Sequence, residues 1–212
     1  MTLKCFLATL LFGLLSSGSV SAIILSFDEG AGGIDIPISN DGVYLDLTDS
    51  SDASAYVVST SYTASWDINL FYGGAAVGTS NTFLPVLAGT AINSAVLNLA
   101  AGTQVGPTSD FPASYSGSTD HMGLGSLQFE SGTAGYIGFV LNPGVEHYYG
   151  WMRLTLNDDG ATGTIHGWAW ETSGDAITVG AVPEPSHAAL LIGLGVSFFM
   201  LTRRRAMAAE SL

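Results

Sequence analysis

Ala64-Ser65-Trp66-Asp67-Ile68-Asn69-Leu70-Phe71-Tyr72 alternates in character, with Trp66, Ile68, Leu70 and Tyr72 on one face and Ser65, Asp67 and Asn69 on the other. A period of two marks a half-buried strand, because successive Cβ atoms point to opposite sides of a sheet. His147 to Leu156 repeats the pattern: Tyr148, Met152, Leu154 and Leu156 oppose His147, Tyr149, Trp151, Arg153 and Thr155. Working outward, strands are expected at Ile24 to Phe27, Ile34 to Ser39, Val43 to Leu47, Ala55 to Tyr62, Gly135 to Leu141, Gly163 to Trp170 and Ala176 to Val179. Asn40-Asp41-Gly42 and Asp158-Asp159-Gly160 supply residues that tolerate positive φ, so both read as hairpin turns. Thr79 to Met122, rich in Ala, Gly, Ser and Thr and containing Pro85, Pro107 and Pro112, reads as long loops with one strand or helical turn at Ile92 to Leu99. Many short strands, Gly-rich turns and almost no helical periodicity predict an all-β fold, an antiparallel β-sandwich or jelly-roll-like domain over residues 23–181.

Charge bounds what this domain meets. The chain has 212 residues with 5 basic and 18 acidic side chains, a formal charge of −13. Position sharpens the total. Between Ile23 and Val182, Arg153 stands alone against sixteen carboxylates. Binding to nucleic acid or to anionic lipid depends on basic groups that neutralise phosphate, so neither is an expected partner of the domain. Cys5 is the only cysteine and lies in the leader, so the mature domain must hold together by packing without disulfides.

The two ends differ from the middle. Lys4, the apolar run Cys5 to Leu15 and the small residues Val20-Ser21-Ala22 have the layout of a secretory signal peptide, residues 1–22, cleaved after Ala22. That implies a signal helix and passage through a secretion translocon. Val182-Pro183-Glu184-Pro185-Ser186 precedes His187, an apolar run from Ala188 to Leu201, Thr202 and Arg203-Arg204-Arg205. The two prolines fix φ and remove two backbone donors, which keeps the tripeptide extended. A helix from Ser186 to Thr202 is about 25 Å long, slightly short of a hydrocarbon core of about 30 Å. Snorkelling arginines and local thinning make up the difference, and the arginines favour the cytoplasmic side.

Residues 182–205 resemble the PEP-CTERM sorting signal of Gram-negative bacteria, with its motif at 182–186, a membrane helix at 187–202 and the arginine cluster at 203–205, followed here by a tail, 206–212. The resemblance implies that an exosortase-like membrane protease recognises Pro183, Glu184 and Pro185. It would then release an inner-membrane-anchored precursor to the cell surface or the exopolysaccharide matrix. Gly135-Tyr136-Ile137-Gly138-Phe139, His147-Tyr148-Tyr149-Gly150-Trp151-Met152-Arg153-Leu154 and Gly167-Trp168-Ala169-Trp170-Glu171-Thr172 are similar to a pattern of uncharacterised PEP-CTERM ectodomains, which implies one β domain reaching to the anchor and no particular activity.

Within the domain no catalytic group stands out. No cysteine survives processing, no serine sits in a nucleophile elbow, and His121, His147 and His166 lack zinc spacing. Asp46, Asp49 and Asp52 place hard oxygens in expected turns and are candidate calcium ligands, although acidic turns are usually solvated turn formers. Arg153, two residues from Trp151 on one strand face, reads either as a structural ion pair or aromatic stack, or as a contact for an acidic ligand or sugar. Trp168 and Trp170 share a strand face, as a carbohydrate platform or as core. The leading expectation is a non-enzymatic surface or matrix protein associated with exopolysaccharide. A lectin-like carbohydrate-binding module is the alternative, and a glycoside hydrolase or lyase, which needs a cleft with facing carboxylates, is a third.

Overall fold

A computed structural model describes residues 24–28, 30, 32–47, 52–72, 76–89, 94–112, 129–142, 146–158 and 162–182. The signal segment with Ala22, Asp49, His121, the Pro183-Glu184-Pro185 motif, the apolar run and Arg203 to Arg205 lie outside the described residues. Those that are described contain strands and no helix, and hence no helix long and apolar enough to cross a membrane.

Three long strands dominate. β10 (Ala134–Leu141), β11 (Tyr148–Leu156) and β12 (Gly163–Glu171) follow one another as antiparallel neighbours. Shorter strands extend this sheet at both sides. β1 (Ile24–Asp28) pairs with the C-terminal half of β12 and β2 (Ile34–Ile36) with its N-terminal half, while β7 (Phe83–Pro85) and β8 (Asn98–Leu99) share β10 in the same way. A second antiparallel sheet has the order β4 (Val57–Ser59), β3 (Val43–Asp46), β5 (Ile68–Tyr72), β6 (Ala76–Thr79). A small pair, β9 (Gln104–Val105) with β13 (Ile177–Thr178), completes the set.

The alternation read from sequence sends side chains to two separate cores. Ile137, Phe139 and Leu141 of β10, with Met152, Leu154 and Leu156 of β11, meet Val43, Leu45, Ile68 and Leu70 of the second sheet. On the other face, Val140, Tyr149 and Trp151 pack with Val105, Ile177 and Val179 beside the β9–β13 pair. The large sheet is therefore covered on both faces, so even its nominally outward aromatic residues lie in protein.

A β-bulge sets the face of β12. Arg153 pairs with Gly167 but Leu154 pairs with Ile165, leaving His166 as the extra residue. Ile165 and Trp168, three residues apart, thereby reach the same core. Gly167 permits the close approach of β1 there, since a Cβ would sit 2.2 Å from the carbonyl oxygen of Phe27.

The turn at Asn40-Asp41-Gly42 differs from expectation. Gly42 does adopt a φ of 71°, and its N–H donates to Ser39 Oγ at 2.8 Å. Yet β2 and β3, on either side, enter different sheets. Turn chemistry marks a reversal of direction without naming the partner strand. The second predicted hairpin does form: β11 and β12 pair out to Leu156 and Gly163, and Asn157 N–H donates to Thr162 O at 2.9 Å. Near the end of the domain, Val179 N–H donates to Thr103 O at 2.8 Å and Ala181 N–H to Thr178 O at 2.9 Å.

Candidate functional site

The aromatic residues singled out in the sequence are structural. Phe139, Gly150 and Trp170 lie side by side in register across β10, β11 and β12, and Gly138, Trp151 and Ala169 form the next row on the opposite face. Each row alternates large with small, so the rings fit between strands only about 4.8 Å apart. Trp168 and Trp170 are 0% exposed, and Trp168 Nε1 donates to Ala53 O at 3.0 Å. A sugar cannot stack on an indole enclosed in a core, so the platform reading of these two residues is corrected to core. Trp151 is 6% exposed and meets Tyr136 edge-on at 5.7 Å. Its buried Nε1 has no hydrogen-bond partner among the described residues, and its ring offers no open face. Glu171, at the end of the same pattern, is buried and accepts from Ser173 N–H, Ser173 Oγ and Asp175 N–H, pinning the turn that leads to β13.

Arg153 lies 4.0 Å from Asp28, the side chains 37% and 68% exposed, which is the ion-pair alternative in a loose, solvent-screened form. Beside it His166 Nε2 lies 2.9 Å from Thr155 Oγ1. Partial burial and the Arg153 charge hold its imidazole below the usual 6.5, with Asp28 pulling the other way. Of the candidate calcium ligands, Asp46 and Asp52 are described, and they serve different places. Asp52 Oδ1 accepts from Ser54 N–H and Oγ, closing a local turn, while Asp46 faces a different site. Among the described residues no three His, Cys, Asp or Glu side chains are grouped as a metal site would require.

That different site is a cleft of about 750 Å³, within the size range of small-molecule sites. It opens where β6 leaves the second sheet and β7 joins the large one. Asp46 comes from the end of β3, Trp66 and Asp67 from the approach to β5, Ser80 and Thr82 from the β6–β7 link, and Asn142 from the end of β10. Asp67 is its structural centre, only 8% exposed. Its Oδ2 accepts from Leu47 N–H at 2.8 Å and its Oδ1 from Thr82 Oγ1 at 2.5 Å, while its backbone bonds both Leu45 O and Ser80 N–H. Burial raises the carboxyl above its ordinary 3.8; the Thr82 and Leu47 bonds oppose that rise and the Asp46 charge reinforces it. Asn142 N–H closes the rim on Thr82 O at 2.7 Å, and Asn142 itself takes a φ of 50°, a left-handed conformation that asparagine tolerates better than most residues.

Sequence reasoning assigned Trp66 to the core face of its strand. The strand begins only at Ile68, so parity does not extend back to Trp66. Its half-exposed ring instead meets Tyr44 edge-on at 5.6 Å, on the side of β3 away from the core residues Val43 and Leu45. The one sequence signal for this site was a Trp-Asp pair at a strand entrance, and it carries no spacing rule.

Comparison with family models, with curated proteins and with solved structures finds no match to this chain.

Proposed function

We propose that the chain is an exported, non-enzymatic protein of the bacterial surface or extracellular matrix, associated with exopolysaccharide. The observation that carries this reading is the order of Pro183-Glu184-Pro185, an apolar run and Arg203-Arg204-Arg205 directly behind an acidic, cysteine-free β domain. The arrangement is that of a β-sandwich, jelly-roll-like ectodomain between a cleaved signal helix and a temporary membrane helix. A secretion translocon and an exosortase-like protease of a Gram-negative cell act on those ends. Replacing residues 183–205 with an unrelated membrane anchor should abolish C-terminal processing and surface release, read by the size of the chain on immunoblots of cell fractions. Unchanged processing and location would sink the proposal.

A lectin-like role is the second reading, and the cleft around Asp67 favours it where Trp151, Trp168 and Trp170 do not. Hydrolysis is a weaker fit. Asp46 and Asp67 both line the cleft, but each Asp67 oxygen already accepts a bond from the chain itself, which suits a structural carboxylate better than a proton donor to a glycosidic oxygen.

A further inference from the structure

We infer that the Asp67 cleft binds a neutral saccharide, with Trp66 as its stacking surface and the Ser80–Thr82 hydroxyl pair as its polar floor; this rests on the lectin-like reading above. Proton counting shows what the floor offers. Thr82 Oγ1 gives its only proton to Asp67, and the Ser80 hydroxyl, 2.6 Å from Thr82 Oγ1 and also bonded to the Asp67 carboxylate, turns its proton to one or other of these inward partners. Ser80 Oγ in turn accepts Thr82 N–H at 3.2 Å. With both hydroxyl protons committed inward, this part of the lining presents lone pairs, on Ser80, on Thr82 and on the Asp46 carboxylate, while Ser65, Asn81 and Asn142 add groups that can also donate. Such a surface complements a ligand rich in hydroxyl donors.

The charge of the lining narrows the class. Two carboxylates and no Lys, Arg or His line the cleft among the described residues, so a uronate, sulfate or phosphate group would be repelled. A divalent cation is disfavoured for a different reason. The lone pairs it needs from Asp67 compete with the bonds to Leu47 and Thr82, leaving Asp46 as the one carboxylate of the cleft with no such bond among the described residues. An apolar ligand would want a mainly hydrophobic lining, whereas here hydroxyls, amides and carboxylates share the wall with Leu47, Ala64, Leu141 and one indole. An aromatic face beside neutral amides and fixed acceptors is the chemistry that receives the C–H face and equatorial hydroxyls of a pyranose.

Trp66 also supplies the readout. The other three tryptophans are buried, so the solvent-sensitive part of the emission belongs to Trp66. The full chain is titrated with neutral gluco-, manno- and galacto-oligosaccharides and, in parallel, with oligogalacturonate and with calcium chloride. At least one neutral series should shift the emission to saturation. Binding followed by calorimetry should weaken about tenfold in Trp66→Ala and by a few fold in Ser80→Ala, and survive in Trp66→Phe. Absence of binding by every neutral series, equal binding of oligogalacturonate, a saturable calcium response that Asp46→Asn removes, or affinity indifferent to both Trp66→Ala and Ser80→Ala would each overturn the assignment. Ser80 is on the surface link and its substitution leaves the cores intact, so the test does not depend on Trp66→Ala folding. A chain that is processed and released but binds no sugar fails only here, and one that binds sugar but is never processed fails only the sorting proposal.

Discussion

The ring of Phe139 occupies the space that a side chain on Gly150 would need: a Cβ there would come within 2.4 Å of two ring carbons. The same position would meet Ala169 O at 2.6 Å, so neither neighbour gives way cheaply. Gly150→Ala should cost about 1–3 kcal/mol, as overpacking in a close-packed core does. Urea unfolding should show a lower midpoint at an unchanged slope, and trimming the ring with Phe139→Leu in the same chain should recover part of the loss.

Trp168 and Trp66 should separate cleanly. Trp168→Ala empties a fully buried site and leaves Ala53 O without its donor, at a cost of about 3–5 kcal/mol. Trp66→Ala should shift the unfolding midpoint far less, because its ring is half exposed and lies outside both cores. Equal losses in chemical denaturation would contradict the distinction between packing and surface aromatic residues drawn here.

Asp67 gives a pH signature opposite to that of most carboxylates. Its folded pKa lies above 3.8, so the folded chain holds this proton more tightly than the unfolded one. The stability it contributes is fully present below 3.8 and is lost as pH rises through the raised folded value. In Asp67→Asn the amide can still accept from Leu47 N–H and donate to Thr82 Oγ1. The difference in melting temperature, variant minus parent, should therefore grow with pH across that window and then level off.

His166 runs the other way. Its lowered pKa means that its stabilising contribution is present above 6.5 and is lost as pH falls through the depressed folded value. Because partial burial is the main cause and Arg153 the next, Arg153→Met should move the imidazole titration upward only part of the way to 6.5. Asp28→Asn should move it further down. Both shifts are readable from the imidazole proton resonances. The Arg153–Asp28 pair itself should contribute less than about 1 kcal/mol, given its exposure.

The all-β class was legible because alternation at β5 and β11 is a local property of each strand. The positions of the long strands followed from the same signal. Partner choice was not legible, since β2 and β3 flank a good turn and still part company. The face of Trp168 and Trp170 was legible only as a shared one; which core they enter depends on the His166 bulge, a register event between two strands. The cleft escaped altogether. Asp46, Trp66, Asp67, Ser80, Thr82 and Asn142 come from four separate parts of the chain, and nothing short of the packed sheets brings them together. Asp67 and Asn69, placed by parity on a polar face, are both buried; the β6–β7 link bonds Asp67 through Thr82 and Ser80 N–H.

The bond from Val179 to Thr103 bounds how far the Pro183 motif can stand from the folded domain. Only Gly180, Ala181 and Val182 separate that clamp from Pro183, a tether with a reach of about 10 Å even if drawn straight. Under the proposed processing, a membrane-embedded protease must work at the foot of a folded body. Its access is then a matter of clearance, and a few flexible residues inserted after Val182 should hasten the cut without touching the residues it recognises.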